Sequence, residues 1–115
     1  MTKINLEYLN ELCNGDVDFI SEMLQTYIDE TSKDVEYLVE AVKLSDTPRI
    51  VFWSHKIKTA FRILGLDGLA EKAETLEIKS RLEDFKIDDF SEHVYYIVEN
   101  ASNSFKQAKW LLEGF

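Results

Sequence analysis

The sequence has little of the chemistry that cross-links a chain, interrupts it or carries it through a membrane. Its single cysteine, Cys13, excludes an internal disulfide framework and fits a small buried side chain in a reducing compartment. No apolar run approaches the roughly 20 residues that cross a bilayer, and the first residues lack the apolar core of a secretory signal. One proline and four glycines leave few positions that break regular structure. These absences predict a cytoplasmic protein without membrane association.

Acidic residues are missing from one segment of an otherwise acidic chain. The net charge of −9 disfavours binding to nucleic acid or to anionic lipid. Residues 47–66 carry four of the 13 basic side chains and none of the 22 acidic ones, so this segment is +4 and the remainder is −13. A small basic face on an acidic body predicts docking of a small anion or of an acidic patch on a partner protein.

Apolar residues recur every three or four positions along most of the chain, whereas two-residue alternation is scarce, so the pattern predicts an all-α protein. The predicted helices span about residues 6–13, 17–44, 48–64 and 68–84, and the last helix begins just after residue 88 or 89 and ends at 114. The predicted N-terminal caps are Asn5, Asp16, Asp67 and Asp88 or Asp89. The short connections favour an antiparallel up-down-up-down four-helix bundle with a short extra N-terminal helix over one end.

The extent of the chain and its outer faces lead to three further expectations. We expect residues 1–115 to form a single domain. An initial Met with a complete bundle behind it favours a stand-alone protein over an excised domain. Polar outer faces favour a monomer.

The basic segment places a histidine on the solvent side of its helix. At about 100° per residue, His55 lies almost opposite the apolar face, beside Lys58, Thr59 and Arg62. Most surface histidines are solvated side chains without a role. An exposed imidazole surrounded by cations, however, suits a nucleophile whose phosphorylated product is anionic. The apolar face itself consists of Ile50, Trp53, Ile57, Ala60, Phe61 and Leu64.

Apolar residues also border the surface that carries His55. Val51, Phe52 and Ile63 lie at its edges, with Lys56 and Thr59 among them. Exposed apolar groups around a reactive centre are typical of a surface on which a transient protein partner docks. We therefore predict that these five residues contact a partner.

Glu77 is the second unusual residue, because it falls within the apolar arc of its helix. A carboxylate on a half-buried stripe needs a partner. If the third and fourth helices are adjacent and antiparallel, Glu77 and His55 lie at similar heights, and Glu77 could accept a hydrogen bond that fixes the imidazole tautomer. Alternatively, Glu77 flanks the helix interface and reaches water, and the residues alone do not decide between the two.

Other kinds of site find no support in the residue pattern. The second histidine, His93, is predicted to be a solvated side chain. The two histidines lack the spacing of a zinc site, and the acidic runs lack that of a calcium loop. No glycine-rich loop is present to cradle nucleotide phosphates.

The segment from His55 to Ala60, with Gly65 ten residues after the histidine and Leu76-Glu77 beyond, resembles the signature of the histidine-containing phosphotransfer (HPt) family. Asn14-Gly15-Asp16 with Phe19-Ile20 is similar to that family's first-to-second-helix segment, so the resemblance covers nearly the whole chain. One position departs from the family, because Thr59 replaces a small residue one turn after the histidine. Its branched side chain is expected to crowd a partner unless the hydroxyl bonds back to a helix carbonyl.

The resemblance implies a histidine phosphotransfer protein in a His–Asp phosphorelay of two-component signalling. By this resemblance His55 would be phosphorylated, Lys58 would offset phosphoryl charge, and Glu77 would lie near the imidazole. From its place on the same helix face, we also expect Arg62 to assist Lys58. The implied partners are response-regulator receiver domains and a hybrid histidine kinase. The receiver would supply Mg²⁺ and the acidic pocket, so the chain needs no cofactor and is a stoichiometric carrier instead of an enzyme.

Two other classes stay open at the level of sequence. One is a helical interaction module that docks a receiver without phosphotransfer. The other is an unrelated all-helical enzyme or metal protein that uses His55 with Glu77.

Overall fold

The computed structural model describes residues 3–115, which contain helices and connecting turns and no strand. The helices are α1 (Leu6–Leu12), α2 (Val17–Thr26), α3 (Ser32–Lys43), α4 (Thr47–Ile63), α5 (Asp67–Lys79) and α6 (Ser91–Glu113). A π-helical turn, Tyr27–Thr31, joins α2 to α3 without a break, and a 3₁₀ turn, Ile87–Phe90, precedes α6. The all-α prediction is confirmed.

Side-chain caps begin three of the helices. The side-chain oxygens of Asn5, Asp16 and Asp46 each accept a hydrogen bond from a backbone N–H three residues on, at 3.0, 3.2 and 3.3 Å. These bonds satisfy amide groups that a helix start leaves without partners. The caps at Asn5 and Asp16 agree with the sequence prediction.

The predicted boundaries of α5 are wrong at both ends. Asp67 is the first residue of the helix instead of its cap, and Leu66 occupies the cap position without a side-chain hydrogen bond. The helix ends at Lys79, not near residue 84. Beyond this end, residues 80–84 form a tight turn, in which the Ser80 hydroxyl donates to the Glu77 carbonyl at 3.0 Å.

The start of α6 also differs from the prediction. Asp88 and Asp89 lie in the 3₁₀ turn, and Phe90 occupies the cap position without a side-chain hydrogen bond. His93, predicted to be solvated, is half-buried, and its ring centroid lies 5.4 Å from that of Phe90. The helix α6 therefore begins without the predicted carboxylate cap.

The apolar faces of the helices meet in one core. Tyr27 lies in its middle, where its ring contacts Phe61 and Phe105 and its hydroxyl lies 2.6 Å from that of Ser104. The Ser104 hydroxyl donates to the Ala101 carbonyl, so Tyr27 donates to Ser104. The largest fully buried apolar side chains are Leu9, Leu24, Leu38, Ile50, Ile57, Phe61, Leu64, Leu66, Leu69, Leu76 and Ile97.

The packing of α4 leaves one face of this helix exposed to solvent. This helix lies against both α3 and α5, while α6 contacts α2, α3 and α5. On α4, the predicted core residues Ile50, Ile57 and Phe61 are fully buried, whereas Phe52 is 58% exposed. One face of α4 is thus left open. Within residues 3–115, no helix has the length and apolar character needed to cross a bilayer.

Candidate functional site

His55 lies near the middle of α4 on its open face. Its side chain is 61% exposed, although the preceding residue, Ser54, and Ile57 are both fully buried. The helix turns Ser54 and Ile57 into the core and the imidazole outward. The predicted solvent-facing position of His55 is confirmed.

Glu77 reaches His55 from the neighbouring helix. The chain reverses between α4 and α5 at Gly65, whose φ of +68° is a conformation that favours glycine. The reversal brings the His55 Nδ1 within 2.9 Å of the Glu77 Oε2. Glu77 is only 4% exposed, so it bonds the imidazole instead of extending into water. Of the two interpretations left open by the sequence, the hydrogen bond is the one observed.

Three donors surround the Glu77 carboxylate. Lys58 Nζ donates to Oε1 at 2.7 Å, and Arg81 donates to Oε2 at 3.1 Å, the same oxygen that bonds His55. Burial by itself raises the pKa of Glu77, but the hydrogen bonds from Lys58, His55 and Arg81 outweigh it and lower the pKa to about 2. Glu77 is therefore ionised at neutral pH.

The charge on Glu77 fixes the tautomer of the imidazole. An ionised carboxylate can only accept hydrogen bonds, so the Nδ1 of His55 must carry the proton in this contact. In the neutral ring, Nε2 then holds the free electron pair. Among the described residues, Nε2 has no hydrogen-bond partner. The geometry leaves an oriented nucleophilic nitrogen on an exposed ring.

A cleft of about 1000 Å³ opens between α4 and the α2–α3 segment, with His55 in its wall. Its lining includes every residue predicted to contact a partner, namely Val51, Phe52, Lys56, Thr59 and Ile63. The opposite wall comes from α2, where Phe19 and Met23 add apolar surface that the sequence analysis did not assign to the site. A signal was present, because Phe19 lies off the buried stripe of its helix and is 50% exposed.

The remaining predicted side chains have identifiable partners. Lys56 Nζ lies 3.2 Å from the buried carboxylate of Asp34, and Arg62 pairs with Glu74 instead of joining the cluster around Glu77. The Thr59 hydroxyl donates to the backbone carbonyl of His55 at 3.3 Å. The Thr59 hydroxyl therefore bonds back to its own helix. This is the case in which the sequence analysis expects Thr59 not to crowd the docking surface.

Arg81 is a charged residue of the site that the sequence analysis missed. It lies four positions after Glu77, at a spacing that brings side chains together on a helix, and this was the available signal. Within residues 3–115, no group of three or more His, Cys, Asp or Glu side chains is arranged to hold a metal ion.

Comparison with protein-family models matches residues 22–94 to the Hpt domain. The chain belongs to this family. The match extends from α2 to the first turn of α6, so this Hpt domain carries both His55 and Glu77 within the matched range. Searches of curated proteins and of solved structures gave no match.

Membership of the family carries a functional implication. Hpt domains are phosphotransfer carriers that take part in His–Asp phosphorelays, typically with response regulators and kinases. The family resemblance drawn from the His55–Ala60 segment is confirmed.

Proposed function

We propose that this protein carries a phosphoryl group between the aspartates of receiver domains, with His55 Nε2 as the acceptor atom. The observation that carries the proposal is the 2.9 Å hydrogen bond from His55 Nδ1 to Glu77, on a ring that is 61% exposed in the wall of an apolar cleft. That bond leaves the Nε2 electron pair free and aimed away from the carboxylate. The same atom would lie at the docked receiver's active site.

In the transfer step, the imidazole of His55 is the group of this chain that bonds to phosphorus. The Nε2 electron pair attacks phosphorus of the receiver's aspartyl phosphate as the bond from phosphorus to the aspartate oxygen breaks, and that bond's electron pair leaves with the aspartate. The ring keeps its proton on Nδ1 and becomes a cation, which the ionised Glu77 stabilises. Because such transition states are loose, positioning and charge neutralisation dominate the rate.

The cleft supports docking of a receiver with an apolar contact surface. Phe52 and Ile63 are exposed large apolar side chains on α4, and Phe19 faces them from α2. Burying such side chains in an interface gives about 25 cal/mol per Å² of apolar surface. The receiver would bring Mg²⁺ and the acidic pocket, and the carrier would act stoichiometrically, as a reactant in each transfer.

We further infer that α2–α3, α4, α5 and α6 form one antiparallel up-down-up-down bundle, capped by α1, and that residues 1–115 are a single domain. The ion pairs support this for two neighbouring helices, since Arg62 pairs with Glu74 and Lys58 with Glu77, as antiparallel α4 and α5 require. A cytoplasmic monomer that exchanges phosphate with receivers and a hybrid kinase fits this arrangement. Analytical ultracentrifugation tests the oligomeric state.

The test is phosphate transfer from phosphorylated receivers of the same cell. Wild-type protein should acquire acid-labile, alkali-stable phosphate, which is the stability expected of phosphohistidine. The His55→Gln variant should acquire none while keeping its helical circular dichroism. Label on His55→Gln would show that another residue accepts the phosphate.

A wild-type protein that binds receivers but never becomes labelled would support the docking module without phosphotransfer. Binding is measured separately, by calorimetry with unphosphorylated receiver, so that absence of label and absence of docking are told apart.

A further inference from the structure

The cations around His55 differ in what they can reach. Lys58 is only 12% exposed and donates at 2.7 Å to Glu77 Oε1, the oxygen that does not bond His55. Lys56 and Arg62 are engaged by Asp34 and Glu74. Arg81 is 54% exposed, lines the same cleft as His55 and shares the oxygen Oε2 with it. Of these, Arg81 combines exposure with proximity to the imidazole.

We propose that Arg81 contacts the transferred phosphoryl group, exchanging Glu77 Oε2 for a phosphoryl oxygen while Lys58 stays on Oε1. The proposal rests on the proposed phosphotransfer to His55 and assigns the direct contact to a residue outside the family signature. It changes the role of Lys58, which the family resemblance places on the phosphoryl group. Here Lys58 balances the charge of Glu77 and so holds the carboxylate in place.

Glu77 Oε2, the oxygen shared by His55 and Arg81, explains why Arg81 would leave Glu77 during phosphoryl transfer. The form of His55 that attacks phosphorus is the neutral one, and in that form Arg81 supplies the positive charge beside Oε2. As the bond from Nε2 to phosphorus forms, the ring becomes a cation whose Nδ1–H bond to Oε2 strengthens. Arg81 is then released from Glu77 just as an anionic phosphoryl group appears in the cleft.

Charge and exposure both favour this movement. Lys58, Glu77, Arg81 and neutral His55 together carry one excess positive charge, which becomes zero once the ring is cationic and the phosphoryl group brings about two negative charges. Arg81 lies beyond the last residue of α5, in the turn at residues 80–84, and its side chain is 54% exposed. A guanidinium also matches phosphoryl oxygens in geometry, because it presents parallel N–H donors.

The first experiment uses phosphoramidate as a small phosphoryl donor, so that loss of receiver docking cannot explain a slow rate. The ammonia of phosphoramidate leaves as His55 Nε2 forms its bond to phosphorus. We expect Arg81→Gln to lower the phosphorylation rate roughly tenfold, as for loss of a charge-assisted hydrogen bond, and Arg81→Lys to recover part of it. The matched control is Arg49→Gln, an exposed arginine paired with Asp46 at the start of α4, which should leave the rate unchanged.

A double-mutant cycle with Glu77→Gln separates a phosphoryl contact from a merely supporting role. If Arg81 has to leave Glu77 to reach the phosphoryl group, removing the Glu77 charge removes that cost, so Arg81→Gln slows the reaction more in the Glu77→Gln background than in wild type. If Arg81 acts only by holding Glu77, the effect of Arg81→Gln shrinks in that background. The sign of the coupling decides between the two roles.

The imidazole tautomer gives a readout that does not depend on the rate. Nitrogen NMR of His55 should show Nδ1 protonated in both wild type and Arg81→Gln, because Lys58 still holds Glu77. An altered tautomer in Arg81→Gln, or an unchanged rate, would overturn the role of Arg81 alone. If the wild type accepts phosphate neither from phosphoramidate nor from a receiver, the proposed function and this inference are both overturned.

Discussion

Replacing Glu77 by glutamine should make the free energy of unfolding fall less steeply as the pH is lowered. The folded pKa of Glu77 is about 2, below its ordinary value of 4.5, because three hydrogen bonds to the carboxylate outweigh its burial. A carboxyl group with a lowered folded pKa stabilises the protein above its unfolded pKa. That contribution is lost as the pH falls through the folded pKa.

The size of the effect follows from these two pKa values. The gap between 4.5 and about 2 corresponds to about 3 kcal/mol in the free energy of unfolding, of which about 2 kcal/mol is lost between pH 5 and pH 3. Because Glu77 is 4% exposed, solvent screening does not reduce the figure much. Glutamine keeps a similar shape and an acceptor oxygen but cannot titrate.

The assay is urea unfolding of wild type and Glu77→Gln at pH 5, 4 and 3. The wild type should be the more stable at pH 5, and its advantage should shrink by about 2 kcal/mol at pH 3. Glu74→Gln is the matched control, since Glu74 pairs with Arg62 at a more exposed position. The difference in free energy of unfolding between wild type and Glu74→Gln should therefore change far less between pH 5 and pH 3. If the difference in free energy of unfolding between wild type and Glu77→Gln stays constant from pH 5 to pH 3, the assignment of an ionised, strongly bonded Glu77 is refuted.

Three other substitutions examine the cleft and the helix that carries His55. Phe52→Ser should weaken receiver binding roughly tenfold in calorimetry, because Phe52 offers an exposed apolar side chain in the cleft, whereas Tyr95→Ser on α6, outside the cleft, should not. Thr59→Ala should accept phosphate from a receiver at the wild-type rate, because the Thr59 hydroxyl is bonded back to the His55 carbonyl, and a clear increase in that rate would show that Thr59 crowds the docking surface. Ser54→Ala should raise the free energy of unfolding by about 1 kcal/mol in urea, because the Ser54 hydroxyl is fully buried without a hydrogen-bond partner among residues 3–115, and a loss of stability would contradict that.

The parts of the site that the sequence predicted are those governed by helix periodicity. The 3.6-residue repeat turns His55 out and Ile57 in, and a short reversal at Gly65 is enough to bring Glu77 to the height of His55. The outward direction of His55 and the matching height of Glu77 depend only on helix periodicity and on one turn, so the sequence was sufficient to predict both.

The parts that were missed depend on how helices end and on which distant helices meet. Arg81 was expected within α5, but that helix ends at Lys79, and Arg81 returns to Glu77 from the turn beyond it. The contribution of Phe19 depends on α2 facing α4 across the cleft, which no local pattern specifies. Where a helix ends and which distant helices face each other are both settled only in the folded chain.

The π-helical turn at Tyr27–Thr31 affects how this sequence should be aligned with others. A π turn bonds each N–H one residue further back than an α-helix does, so it holds one residue more than the same path in α-helical form. Deleting one residue there would let α2 and α3 continue as a regular α-helix along the same path, with the residues on both sides keeping their faces. Keeping that residue in a regular α-helix would instead rotate one helix relative to the other by about 100°, and Asp34 would turn away from Lys56. A relative with an uninterrupted helix should therefore be aligned with a one-residue gap at this turn, and the residues of its α2 that face His55 should be assigned only after the gap is placed.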